Sequence, residues 1–99
     1  MNSEQFVKDR HEAFASMDEQ KIKAYCRKYG MSTRFPRDEK IWKGGINKAI
    51  LECTDFSDEE KKKALVWLLL NGYQQDGTGR PLHERFGYLL DPEWKREEE

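Results

Sequence analysis

Four side chains in this sequence have the chemistry of a nucleophile, a general base or a soft metal ligand: His11, Cys26, Cys53 and His83. A cysteine nucleophile needs an imidazole beside it. A zinc site draws on cysteines and histidines at short spacings such as C-x₂₋₄-C and H-x₃₋₅-H. Here the two cysteines are far apart, and each histidine is distant from both and from the other. Neither a metal site nor a Cys–His pair is expected. The adjacent acids Glu59-Glu60 and Glu97–Glu99 suit helix ends and solubility rather than acid–base chemistry, which needs a group poised for proton transfer. Gly77-Thr78-Gly79-Arg80 has the composition of a phosphate cradle. A P-loop, however, requires a longer glycine spacing that closes on Lys-Ser/Thr between a strand and a helix. This segment therefore reads as a turn. The expectation is a non-enzymatic protein with no catalytic residue, no metal and no cofactor.

What remains is charge. Residues 21–48 carry nine basic side chains, Lys21, Lys23, Arg27, Lys28, Arg34, Arg37, Lys40, Lys43 and Lys48, against two acidic ones, Asp38 and Glu39. That block is +7 in a chain whose formal net charge is −1; residues 1–20 carry −3 and residues 49–99 carry −5. An internal block of one sign between flanks of the other can steer a partner. The candidate binding residues are Lys23, Arg27, Lys28, Arg34, Arg37, Lys40, Lys43, Gly44, Asn47 and Lys48. The cations would meet phosphates, Asn47 could reach a base edge, and Gly44 would let a backbone come close. Because net charge is not positive, indiscriminate coating of nucleic acid is not expected; binding would use this patch. The competing reading is a solvated face balanced by acids elsewhere.

The elements that must position these residues follow from periodicity and caps. Phe6, Val7, Ala13, Phe14 and Met17 gather on one side of a first helix, with Arg10 inside the stripe, which places it at the edge of the core. Ser16-Met17-Asp18-Glu19 has the form of a capping box for a second helix running to Tyr29. Ile22, Tyr25, Cys26 and Tyr29 form its buried stripe, and Gly30 supplies a left-handed terminus. Pro36 would open a third helix, with Ile41, Trp42, Gly45, Ile46, Ala49, Ile50 and Cys53 inward and Gly44 among the lysines outward. Ser57-Asp58-Glu59-Glu60 is a second capping box. Ala64–Leu70, apolar on every side, reads as a central helix or as one with a face for another chain. Residues 73–81 form a loop with a tight turn at Asp76-Gly77. Leu82, Phe86, Tyr88, Leu89 and Leu90 return apolar surface to the core, Trp94 packs back, and Lys95–Glu99 fray.

Three strings carry a resemblance: Lys23-Ala24-Tyr25-Cys26-Arg27-Lys28-Tyr29-Gly30, Ile41-Trp42-Lys43-Gly44-Gly45-Ile46-Asn47-Lys48-Ala49 and Trp67-Leu68-Leu69-Leu70-Asn71-Gly72-Tyr73. Their layout over about residues 20–73 is similar to that of small uncharacterised proteins of bacterial phages and mobile elements. The resemblance implies an accessory, host-interacting or DNA-associated role and transfers no functional residue.

Together these readings predict an all-α protein in a single helical domain, residues 1–99. A small bundle of three core helices (about 17–29, 36–53 and 57–71) is joined by an N-terminal helix and a C-terminal segment. No apolar run approaches the ~20 residues of a membrane span. The polar stretch after Met1 has no signal-peptide character. A cytoplasmic protein with reduced thiols is the expectation. The leading function is nucleic-acid binding through residues 21–48. The alternative is a protein that binds an acidic or host protein partner, or forms a homodimer, through the same face or through the Leu-rich helix 64–70.

Overall fold

Polar caps and glycine termini set several of the helix boundaries. In the computed structural model, which describes residues 3–92, they give five α-helices and no strand among those residues. The helices are α1 (Ser3–Ser16), α2 (Glu19–Lys28), α3 (Glu39–Glu52), α4 (Asp58–Leu70) and α5 (Leu82–Phe86), followed by a 3-10 helix over Gly87–Leu89. The all-α expectation holds. Contacts divide the chain into two compact units, Met1–Ile46 and Asn47–Glu99, with α3 running across the division. The expected positions of Trp94 and of Lys95–Glu99 lie outside the described residues.

The first unit is built on aromatic packing. Ala13, Ile22, Tyr25, Cys26 and Trp42 are buried together, with Phe6, Phe14, Tyr29, Phe35 and Ile46 against them. Phe14 meets Tyr25 edge-on at 5.7 Å and Phe6 meets Tyr29 edge-on at 4.8 Å, the arrangement that the ring quadrupoles favour. Thus α1 is part of this core rather than an appendage to it.

The junction between α1 and α2 differs from the expected Ser16 capping box. The Ser16 hydroxyl donates back to the Ala13 carbonyl at 2.6 Å and accepts from the Asp18 amide at 3.1 Å. Met17 turns through a positive φ of 50°. Asp18 is therefore the residue left extended at the helix start, and its carboxylate accepts from the Gln20 and Lys21 amides at 2.8 and 3.2 Å. A carboxylate there also complements the positive end of the helix. At the other end, Gly30 takes φ 70°. Its amide donates to Arg27, and the Met31 amide donates to Cys26; this is the Schellman termination that its sequence predicts.

The start of α3 lies three residues later than Pro36 suggests. The Asp38 carboxylate accepts from the Lys40 amide at 2.9 Å, so Asp38 takes over the capping and residues 36–38 lengthen the connection. The phase of α3 also differs. Trp42, Gly44, Asn47, Ile50 and Leu51 are buried, whereas Gly45 is exposed and Ile41 is 54% exposed. The expected inward Gly45 and outward Gly44 are reversed. Two consecutive apolar pairs, Ile41-Trp42 and Ile50-Leu51, fit a helix stripe in either of two phases about 100° apart, and periodicity alone does not choose between them.

In the second unit the Ser57 capping box forms as expected, with Ser57 Oγ accepting from the Glu60 amide and the Glu60 carboxylate from the Ser57 amide. Ala64, Leu65, Leu68 and Leu69 are buried on α4, as are Ile50, Leu51, Phe56, Leu82, Phe86 and Leu89 elsewhere in the unit. Each fully buried leucine contributes about 1.5–3 kcal/mol. The helix is not enclosed on every side: Leu70 is 51% exposed, and Val66 and Trp67 are half-buried. Tyr88, expected to face the core, points to solvent in the 3-10 turn, where Leu89 takes the inward position.

Candidate nucleic-acid interface

The cations of residues 21–48 do not form one continuous face. On α2, Lys21 and Lys28 lie on the flank toward α1, where they line a cleft with Asp9 and Glu12. Lys28 Nζ reaches the Asp9 carboxylate at 2.7 Å, and the Tyr29 hydroxyl donates to the same carboxylate at 2.5 Å. Hydrogen bonds from Lys28, then Tyr29 and Gln5, pull the Asp9 carboxyl down to about 2, and the same pair raises Lys28. Lys28 is thus a staple between α1 and α2, neutralised where it sits.

The opposite flank of α2 looks toward the connection to α3. Lys23 Nζ lies over the Phe35 ring at 5.4 Å and pairs with Glu19 at 3.3 Å. Phe35 packs on Trp42 at 5.4 Å. The ring is therefore clipped between a side chain of α2 and one of α3, and it fixes the connection that carries Arg34 and Arg37. Arg27, in the last turn of α2, and Arg34 and Arg37 are all exposed. Among the described residues none of these three arginines pairs with an acid.

The remaining predicted residues divide differently. Lys40 is exposed at the start of α3. Lys43 pairs with Glu39 at 2.6 Å and lies over the Trp42 ring. Lys48 is half-buried, its ammonium 4.9 Å from the centre of the Tyr73 ring. Gly44 and Asn47 are buried, Asn47 being only 4% exposed. Neither can meet a ligand backbone or a base edge as the sequence phase suggested, because the true phase of α3 turns both inward. The N-terminus of α3, a possible anion site, is occupied by the Asp38 carboxylate.

No family model, curated protein or solved structure matches the chain. The function must therefore be argued from the surface itself.

Among the described residues no group of three His, Cys, Asp or Glu side chains could hold a metal ion. Cys26 is buried in the aromatic core, and that burial pushes its thiol up, away from the nucleophilic thiolate. Cys53 is half-buried. No helix among the described residues is long and apolar enough to cross a membrane.

One polar cluster escaped the sequence reading. The Asp76 carboxylate, fully buried, accepts from the Thr78 amide and hydroxyl and from the Arg80 amide, at 2.8, 2.6 and 3.0 Å. Arg85 donates to Asp76 and forms a two-pronged pair with Glu52, the last residue of α3. Thr78 first, with Arg85 and the two amides, holds the Asp76 carboxyl well below the usual range; Glu52 and Asp76 raise Arg85. With the Gln75–Pro81 bridge, this closes the Asp76–Arg80 loop as a self-satisfied turn. The Asp76, Thr78, Gly79 and Arg80 amides all donate within it. The signal available in the sequence was Asp76 ahead of Gly-Thr-Gly, a composition that favours side-chain-to-backbone turns.

Proposed function

We propose that the protein is a non-enzymatic, cytoplasmic nucleic-acid-binding protein that meets its ligand through Arg27, Arg34, Arg37 and Lys40. One observation carries this reading. Three exposed arginines, none paired with an acid among the described residues, stand on or just before a connection whose Phe35 ring is clipped between α2 and α3. An arginine left without a carboxylate partner keeps its forked donors available for phosphate oxygens. The resemblance of residues 20–73 to small proteins of phages and mobile elements supports a DNA-associated accessory role. The test is charge reversal. The R27E/R34E/R37E variant should keep the parent helical circular dichroism and lose binding to fluorescent DNA at low salt. Unchanged binding would remove the reading.

A second reading has its own observation. On α4, Val66, Trp67 and Leu70 line a shallow apolar groove bordered by Glu59, Lys62 and Lys63. A groove of this kind suits a protein partner or a second copy of the chain. Sedimentation equilibrium of the parent protein and of Leu70→Glu separates the two cases. A dimer that dissociates in the variant supports self-association, and a monomer in both leaves a partner protein as the occupant.

A further inference from the structure

We infer that the arginine surface takes double-stranded nucleic acid and reads its backbone without regard to sequence. This rests on the proposed nucleic-acid reading and narrows it. Proteins that hold single strands offer aromatic rings on which successive bases stack. The first unit has six aromatic residues, and among the described residues every one is engaged. Phe6 packs on Tyr25 and Tyr29, Phe14 on Tyr25, and Tyr25 on Tyr29. Phe35 and Trp42 pack on each other, and Lys23 and Lys43 cover their faces. None of the six is left exposed as a stacking platform.

The amide side chains that read adenine are missing from the arginine-bearing segment as well. Adenine is read in the major groove by an asparagine or glutamine amide. Residues 21–46 contain neither residue, and Asn47, next along α3, is buried. Arginine reads guanine most often from a helix laid in the major groove. Arg34 and Arg37 stand on the connection between helices, and Arg27 stands at the C-terminal end of α2, where the helix has already turned away at Gly30. What these segments offer is exposed forked cations, which suit positioning on phosphates more than specifying bases.

The number of cations sets a measurable quantity. Each phosphate neutralised on duplex DNA contributes about −0.9 to the slope of log K against log salt, so Arg27, Arg34, Arg37 and Lys40 together predict a slope of about −3.6. The experiment measures fluorescence anisotropy of three labelled DNAs of equal length across a potassium chloride series: an A·T-only duplex, a G·C-only duplex and a mixed-sequence single strand. The expected result is that the two duplexes bind within about threefold of each other and with a slope of about −3.6, and that both bind more tightly than the single strand. In R27Q/R34Q/R37Q, with its circular dichroism unchanged, the slope should fall to about −0.9, the contribution of Lys40. A single strand bound as tightly as the duplexes, or a preference for one duplex beyond about tenfold, overturns the inference and leaves nucleic-acid binding standing. No binding to any of the three DNAs at low salt overturns both.

Discussion

The Phe35 ring lies 5.4 Å from the Trp42 ring, centre to centre, and the Lys23 ammonium lies 5.4 Å from the Phe35 centre. An otherwise irregular connection is thereby tied to the helix before it and to the helix after it. Phe35→Ala should weaken duplex binding several-fold although no cation is removed, because Arg34 and Arg37 lose their fixed positions. The same change should lower stability by roughly 2 kcal/mol, less than for a fully buried ring. Parallel urea titrations and binding isotherms measure the two effects on one sample.

Acid should loosen α1 from α2. The folded-state Asp9 carboxyl is held at about 2, below its ordinary 3.8. A group depressed on folding contributes stability that is complete above its unfolded value and is lost as pH falls toward its folded value. The Asp9–Lys28–Tyr29 staple therefore gives full support at neutral pH and loses it between about pH 4 and 2. Asp9→Asn should remove this part of the acid transition. A thermal melting series in which the parent and Asp9→Asn fall by equal amounts across that window would show that the staple carries no stability.

Asn47 separates a structural role from a functional one. Its burial predicts that Asn47→Ala costs roughly 1–3 kcal/mol, the range for disrupting a buried polar group, and leaves duplex affinity unchanged. A base-reading residue would give the opposite pattern, with normal stability and altered sequence preference. Urea midpoints together with anisotropy on two duplex sequences distinguish the patterns.

The two faces of α4 should respond very differently to truncation. Leu65 is fully buried and Leu70 is half-exposed. Leu65→Ala should cost about 2–5 kcal/mol, and Leu70→Ala less than about 0.5 kcal/mol, as for an ordinary surface change. Equal losses in chemical denaturation would mean that Leu70 is covered in solution, which would favour the self-association reading of the α4 groove.

Much of the fold was legible because its punctuation is chemical. Gly30 and Gly72 mark the ends of α2 and α4, and both helices close with the same pair of reversed hydrogen bonds. Ser57 and Glu60 mark the start of α4. The errors came where two signals competed. Ser16 and Asp18 both had the chemistry of a cap, and the Met17 backbone decided for Asp18. Ile41-Trp42 and Ile50-Leu51 allowed α3 two phases, and the chosen one put Gly44 and Asn47 on the wrong side. The candidate site was legible as a count of charges but not as a surface. Which cations pair locally depends on neighbours distant in sequence, as Lys28 does on Asp9. The Asp76–Arg85–Glu52 cluster was hidden for the same reason, since its members come from three separate segments.

The most direct measurement of the central claim is amide and arginine side-chain chemical-shift mapping by NMR as duplex DNA is added at low salt. The account predicts shifts concentrated at Arg27, Arg34, Arg37 and Lys40 and their neighbours, with Lys21, Lys28 and the α4 groove at Val66, Trp67 and Leu70 unmoved. Shifts centred on the α4 groove, or on the Asp9–Lys28 cleft, or no shifts at saturating DNA, would contradict it.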